Sequence, residues 1–204
     1  TKIKLNSGYD YCKKISVKLE DDEVKNWKFF ERMNLLCRTI PTRYLEISYV
    51  HPETIRMCSK LFEGTFIPNL TIGEWDSRSR KNNQISNTTD FFPYLDLIQK
   101  LKICYVTCIV NDFTKGFAKF LVHVSALSRN ITIFARGKNH SLIDYCSISM
   151  EMLSKKCEQL YFSVHGHDIS LFDVEKVVQG VHHLEKKLHF TAWTKELPVY
   201  SHIG

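Results

Sequence analysis

The sequence predicts an α/β fold: an open solenoid of about seven strand–helix units, with a parallel sheet and helices on one of its faces. Three observations lead there. Apolar pairs separated by one residue recur at Ile15/Val17, Leu45/Ile47, Leu70/Ile72, Leu101/Ile103, Ile131/Ile133, Leu160/Phe162 and Leu188/Phe190, spaced 25 to 31 residues apart. A fixed period of this length marks stacked repeats. Apolar and polar residues alternate through each pair, as in a strand with one buried face. Helix-like segments fill the intervals, and a helix between consecutive strands carries the chain back so that the strands run parallel.

Taken in order, residues 2–5 form an extra N-terminal strand ahead of Ile15. Residues 24–40 place Trp27, Phe30, Met33, Leu36 and Cys37 on one helical stripe. Residues 51–64 carry Pro52 near the first turn, where its missing N–H is harmless, and Gly64 as a C-terminal stop. A short helix over 91–100 follows the polar stretch "DSRSRKNNQISNTTD". Residues 112–127 align Phe113, Phe117, Phe120, Leu121 and Val124, and 141–157 and 171–187 repeat the pattern. Ser170 caps the last of these, with Asp173 three residues on as a variant capping box. The terminal "KELPVYSHIG" covers the open edge of the last strand, which would otherwise expose unpaired backbone groups.

Doubly wound sheets and barrels bury both strand faces and so use continuous apolar runs. Here one face is polar. Its first column holds Ser16, Glu46, Thr71, Lys102, Thr132, Tyr161 and His189; the next holds Lys18, Ser48, Gly73, Cys104, Phe134, Ser163 and Thr191; beyond them lie Trp75, Val106, Arg136, His165 and Trp193. Helices on only one side of a parallel sheet curve it into an open solenoid.

The segments "NLTI", "KLKI", "NITI", "QLYF" and "KLHF" resemble the L-x-L core of leucine-rich repeats of the ribonuclease-inhibitor-like type, over nearly the whole chain. The Asn or Cys that this family carries after each strand falls at Glu20, Val50, Trp75, Val106, Arg136, His165 and Trp193, so its Asn ladder is absent. The abundance of Phe, Tyr, Ile and Lys is similar to the repeat domains that follow the F-box in the nematode-type F-box families. That resemblance implies the substrate-recognition part of a ubiquitin ligase. The F-box itself is not in this sequence.

Composition narrows the classes. A hydrophobic content of 44% supports a sizeable core in a single domain over 1–204. The net charge of +6 comes without a block of like charges, so it allows an acidic partner without demanding nucleic acid. No apolar run approaches the roughly 18 residues of a membrane span. The chain opens on Thr and shows no signal peptide, so it reads as part of a longer product with an upstream region missing. Seven cysteines, odd in number and without a C-x-x-C, suit reduced thiols in a cytoplasmic or nuclear protein better than a zinc site. N-x-S/T triplets at Asn69, Asn87, Asn130 and Asn139 point the other way, to a secreted or cell-surface recognition domain.

Catalytic signatures are missing: no G-x-S-x-G, G-x-G-x-x-G, P-loop or H-E-x-x-H occurs, and the eight glycines are too dispersed to cradle a phosphate. No catalytic residue and no cofactor is assigned. "HGHD" at His165 to Asp168 has metal-ligating residue types, but a strand-to-helix turn explains it and no metal is assigned. His182 and His183 are adjacent on a helix, one packed and one solvated. Ser77 and Ser79, among Arg78, Arg80 and Lys81, form a candidate phosphorylation segment.

The polar sheet face remains. Aromatic and charged residues interleaved on it suit a protein partner, because Trp, Tyr and Arg dominate interface energetics. The expected contact residues are Glu46, Trp75, Lys102, Phe134, Arg136, Tyr161, His165, His189 and Trp193. The sequence therefore reads as a non-catalytic protein-interaction module. The alternatives are the secreted or cell-surface recognition domain and a basic nucleic-acid-binding module.

Overall fold

The computed structural model describes residues 2–6, 14–18, 44–47, 52–73, 91–110, 113–136, 144–165, 171–193 and 198–203. The architecture is α/β, with parallel strands alternating with helices. The chain divides into two units, Thr1–Trp75 with Asp90–Val106, and Asp76–Thr89 with Thr107–Gly204. The expected helix over 24–40, the Ser170 cap, Trp75, Ser77 and Ser79 lie outside the described residues.

In the first unit, β1 (Lys2–Asn6) runs antiparallel to β2 (Lys14–Lys18), so the extra N-terminal strand is present. β2 is parallel to β3 (Tyr44–Ile47), and β3 to β4 (Asn69–Ile72). The paired apolar residues fall in register: Ile15 beside Leu45 and Leu45 beside Leu70, then Val17, Ile47 and Ile72. Leu45, Ile47, Leu70 and Ile72 are buried. Helix α1 (Pro52–Leu61) opens on Pro52, and α2 (Phe92–Lys100) carries Pro93 in its first turn. The two helices pack together, burying Ile55, Cys58, Tyr94, Leu97 and Ile98. Between them, Ser59 Oγ donates to Asp96 Oδ2 at 2.5 Å, and Lys100 Nζ reaches the same oxygen at 3.1 Å. Past α1, Gly64 sits at φ +74°, where a side chain would be strained, and its N–H donates to Lys100 O at 2.9 Å.

The fifth strand is not where Leu101/Ile103 places it. β5 is Tyr105–Val110, and its buried alternate positions are Val106, Cys108 and Val110. Leu101 is buried as the C-cap of α2, its N–H bonded to Leu97 O at 3.1 Å. Lys102 makes an isolated parallel bridge with Phe66. The sequence "KLKICYVTCIV" holds two overlapping alternations. Helix α2 runs to Lys100 and claims the first, leaving the longer, β-branched second one to form the strand. Val106 therefore belongs to the buried set, while Lys102 and Cys104 precede the strand.

In the second unit, β6 to β9 are neighbours in chain order. Helix α3 (Lys115–Ser125) leads to β6 (Asn130–Arg136), α4 (Tyr145–Leu153) to β7 (Gln159–His165), and α5 (Leu171–Val181) with a 3₁₀ turn at His182–Leu184 to β8 (Lys187–Trp193). β6, β7 and β8 are parallel, with Ile131, Leu160 and Leu188 side by side. β9 (Pro198–Ile203) pairs antiparallel with β8 and closes the edge, as the C-terminal sequence predicts. Thr114 caps α3 by accepting from Phe117 N at 3.1 Å, and Asp144 caps α4 by accepting from Ser147 N at 3.1 Å.

The core of this unit is an aromatic cluster beneath the helices. Phe113, Tyr145, Phe162 and Phe190 meet at centroid distances of 5.4 to 6.0 Å, mostly edge to face. Helices α4 and α5 approach closely at Gly180, where an added Cβ would lie 2.5 Å from Cys146 Sγ. Turn backbones are also tied from one strand–helix unit to the next. Glu158 N–H donates to Arg129 O at 2.7 Å, and Lys187 N–H to Glu158 O at 3.1 Å. Lys186 Nζ donates to Lys155 O at 2.9 Å and Cys157 O at 2.7 Å. A lysine from the following strand–helix unit thus satisfies turn carbonyls of the one before it.

Candidate interaction face

In a parallel sheet held in register, residues two apart along each strand form rows across it. The second unit builds three rows on the face turned away from the aromatic core. Thr132, Tyr161 and His189 make the first, Phe134, Ser163 and Thr191 the second, and Arg136, His165 and Trp193 the third. Ile131, Ile133, Leu160, Phe162, Leu188 and Phe190 occupy the other parity and are buried, so alternation fixes which residues the rows contain.

The rings in these rows touch. Tyr161 stacks on His189 with centroids 4.6 Å apart and planes 7° from parallel. Phe134 leans against Tyr161 at 5.7 Å and 48°. Thr191 Oγ1 lies 3.2 Å from His189 Nε2. Phe134, Tyr161 and His189 are half-buried, while Ser163 and Thr191 are 4% and 3% exposed. The face is thus a ridge of partly accessible rings with small polar residues sunk beside it.

The predicted contact residues distribute unevenly. Phe134, Tyr161 and His189 come together; His165 is half-buried, and Arg136 and Trp193 share its register position. Glu46 is half-buried on β3 of the first unit, in register with Thr71. Lys102 is exposed in the turn before β5. Sequence reasoning missed Tyr44, whose hydroxyl shares a 2.6 Å hydrogen bond with Thr71 Oγ1; its place directly before Leu45 was the available signal. It also passed over Phe66, Phe92 and Tyr105, large aromatics that are 57%, 71% and 49% exposed. His182 and His183 are both exposed, because the 3₁₀ turn lifts the pair out of the α-helical stripe.

The buried thiols are held in their neutral form. Burial pushes Cys108 up to about 12 and Cys157 up to about 11, and it also raises Cys146. A thiol nucleophile reacts as the thiolate, so these three serve as small core residues. Among the described residues, no group of three or more His, Cys, Asp or Glu is arranged to hold a metal ion. No helix among them is long and apolar enough to cross a membrane. No family model matches the chain, and neither does any curated protein or solved structure.

Proposed function

We propose that the chain is a non-catalytic interaction module, that its strand–helix units belong to an open repeat architecture, and that it binds a protein partner on the β6–β8 face. One observation carries the reading: Phe134, Tyr161 and His189 form a contiguous, half-buried ring cluster on strands whose other face is locked into the core. Aromatic anchors on a rigid scaffold lose little conformational freedom on binding, and a few of them supply most of an interface's affinity. Under the F-box resemblance, the same face would select the substrate of a ubiquitin ligase.

Site-specific photo-crosslinking tests the proposal. A benzoylphenylalanine at Thr132, in the row of Tyr161, should crosslink to a partner in native extract. The same group at exposed Glu175 on α5 should not. Equal crosslinking at both positions, or crosslinking at Glu175 alone, would place binding elsewhere.

A further inference from the structure

We infer that the face built by β6–β9 accepts an acidic polypeptide segment. This rests on reading that face as the binding surface.

The first observation is charge. None of the four strands, "NITIFAR", "QLYFSVH", "KLHFTAW" and "PVYSHI", contains Asp or Glu, although the chain carries 22 of them. At the register positions of the ring-bearing face stand Arg136, His165, Lys187, His189 and, opposite His189, His202. Of the carboxylates in the described turns leading into these strands, Glu158 is paired with Arg129 at 3.6 Å, and Glu185 is exposed two residues before Lys187. A face that carries exposed Lys187 and has no carboxylate within its strands favours an anionic partner over a basic one.

The second observation is ring orientation. Tyr161 and His189 sit on adjacent strands, and their 4.6 Å centroid distance matches the strand spacing of about 4.8 Å. They are stacked along the inter-strand direction, so their rims point away from the sheet. One face of Tyr161 is covered by His189, and Phe134, from the strand on the other side, contacts the Tyr161 ring at 5.7 Å and 48°. Nucleobases and cations bind aromatic faces. A rim carries the positive end of the ring quadrupole and suits a carboxylate. This favours an acidic peptide over single-stranded nucleic acid, the other polyanion the charge would admit.

The test uses the whole chain and four fluorescent probes, titrated by anisotropy. Three are pools of short peptides of equal length and equal apolar content, with Glu/Asp, Gln/Asn or Lys/Arg at the polar positions. The fourth is an oligothymidylate. The acidic pool should bind at least about fivefold more tightly than the Gln/Asn pool, and more tightly than the other two probes. Lys187→Glu, at an exposed position, and Arg136→Glu should remove that preference, with thermal unfolding confirming that each variant folds. Tighter binding of oligothymidylate overturns the assignment in favour of nucleic acid. If the Gln/Asn or Lys/Arg pool binds as well as the acidic pool, and Tyr161→Ala abolishes it, the acidic assignment falls while the binding face stands. If no probe binds, or binding survives Tyr161→Ala, both readings fall.

Discussion

Gly180→Ala offers a quantitative test of the α4–α5 packing. Gly180 lies in the last turn of α5, and replacing a helical Gly with Ala contributes up to about 1 kcal/mol of helix propensity. Against this, the new Cβ would meet Cys146 Sγ at 2.5 Å and Met150 Sδ at 3.2 Å. The thioether can move, since Met is flexible. Cys146 cannot move freely: it is buried and its thiol donates to Lys176 O at 3.3 Å. Overpacking of this kind costs about 1–3 kcal/mol, so the single variant should be destabilised by about 0–2 kcal/mol. In a Cys146→Ala background the obstructing sulfur is gone and the added methyl fills part of its space. There Gly180→Ala should stabilise. Urea unfolding of the four proteins in a double-mutant cycle should give a coupling energy of about 1–3 kcal/mol. A coupling below about 0.3–0.5 kcal/mol, the level expected of independent sites, would refute the close approach.

Three further outcomes are expected. Val106→Ala should cost more than Ile103→Ala by urea unfolding, despite the smaller deletion, because Val106 is fully buried in β5 and Ile103 is half-buried ahead of it; the reverse order would restore the strand to Leu101. Ser149 Oγ is buried without a hydrogen-bond partner among the described residues, so Ser149→Ala should be neutral or stabilise by about 1 kcal/mol, and a loss of more than that would reveal a partner. The Ser59 hydrogen bond, joined by Lys100, holds the Asp96 carboxyl below the usual carboxylate range against partial burial. With the folded value below the unfolded one, the unfolded chain binds more protons between them. This contribution is therefore complete above the unfolded carboxylate value and lost as pH falls through the folded one. Denaturation midpoints of Asp96→Asn should decline less steeply in that acid window than those of the wild type; parallel profiles would remove the linkage.

Periodicity made most of this legible. Leu45, Leu70, Ile131, Leu160 and Leu188 lie on strands because alternation and spacing reinforce each other, and the register aligns them side by side. The same alternation assigned Phe134, Tyr161 and His189 to one face. Leu101 misled because a helix end and a strand start compete for one apolar stretch, and the length of α2 settles the outcome. Ring stacking, the Ser59–Asp96 bond and the fit of Cys146 to Gly180 could not be read at all. Each depends on how closely two elements approach and on side-chain rotamers, neither of which a one-dimensional pattern encodes.

The claim that the β6–β8 face is presented for binding is tested most directly by separating binding from folding at Tyr161. Wild type, Tyr161→Ala and the helix-side control Glu175→Ala would each be used to capture proteins from native extract, with quantitative mass spectrometry and a thermal unfolding curve for each. The account predicts that proteins captured by the wild type and by Glu175→Ala are lost with Tyr161→Ala, reflecting a weakening of at least about 1–2 kcal/mol. Because Tyr161 is outside the aromatic core, its Tm should shift by no more than the roughly 2–4 °C that corresponds to 1 kcal/mol in a chain of this size. Unchanged capture per folded molecule together with a much larger fall in Tm would contradict it, and would make the ring ridge part of the core.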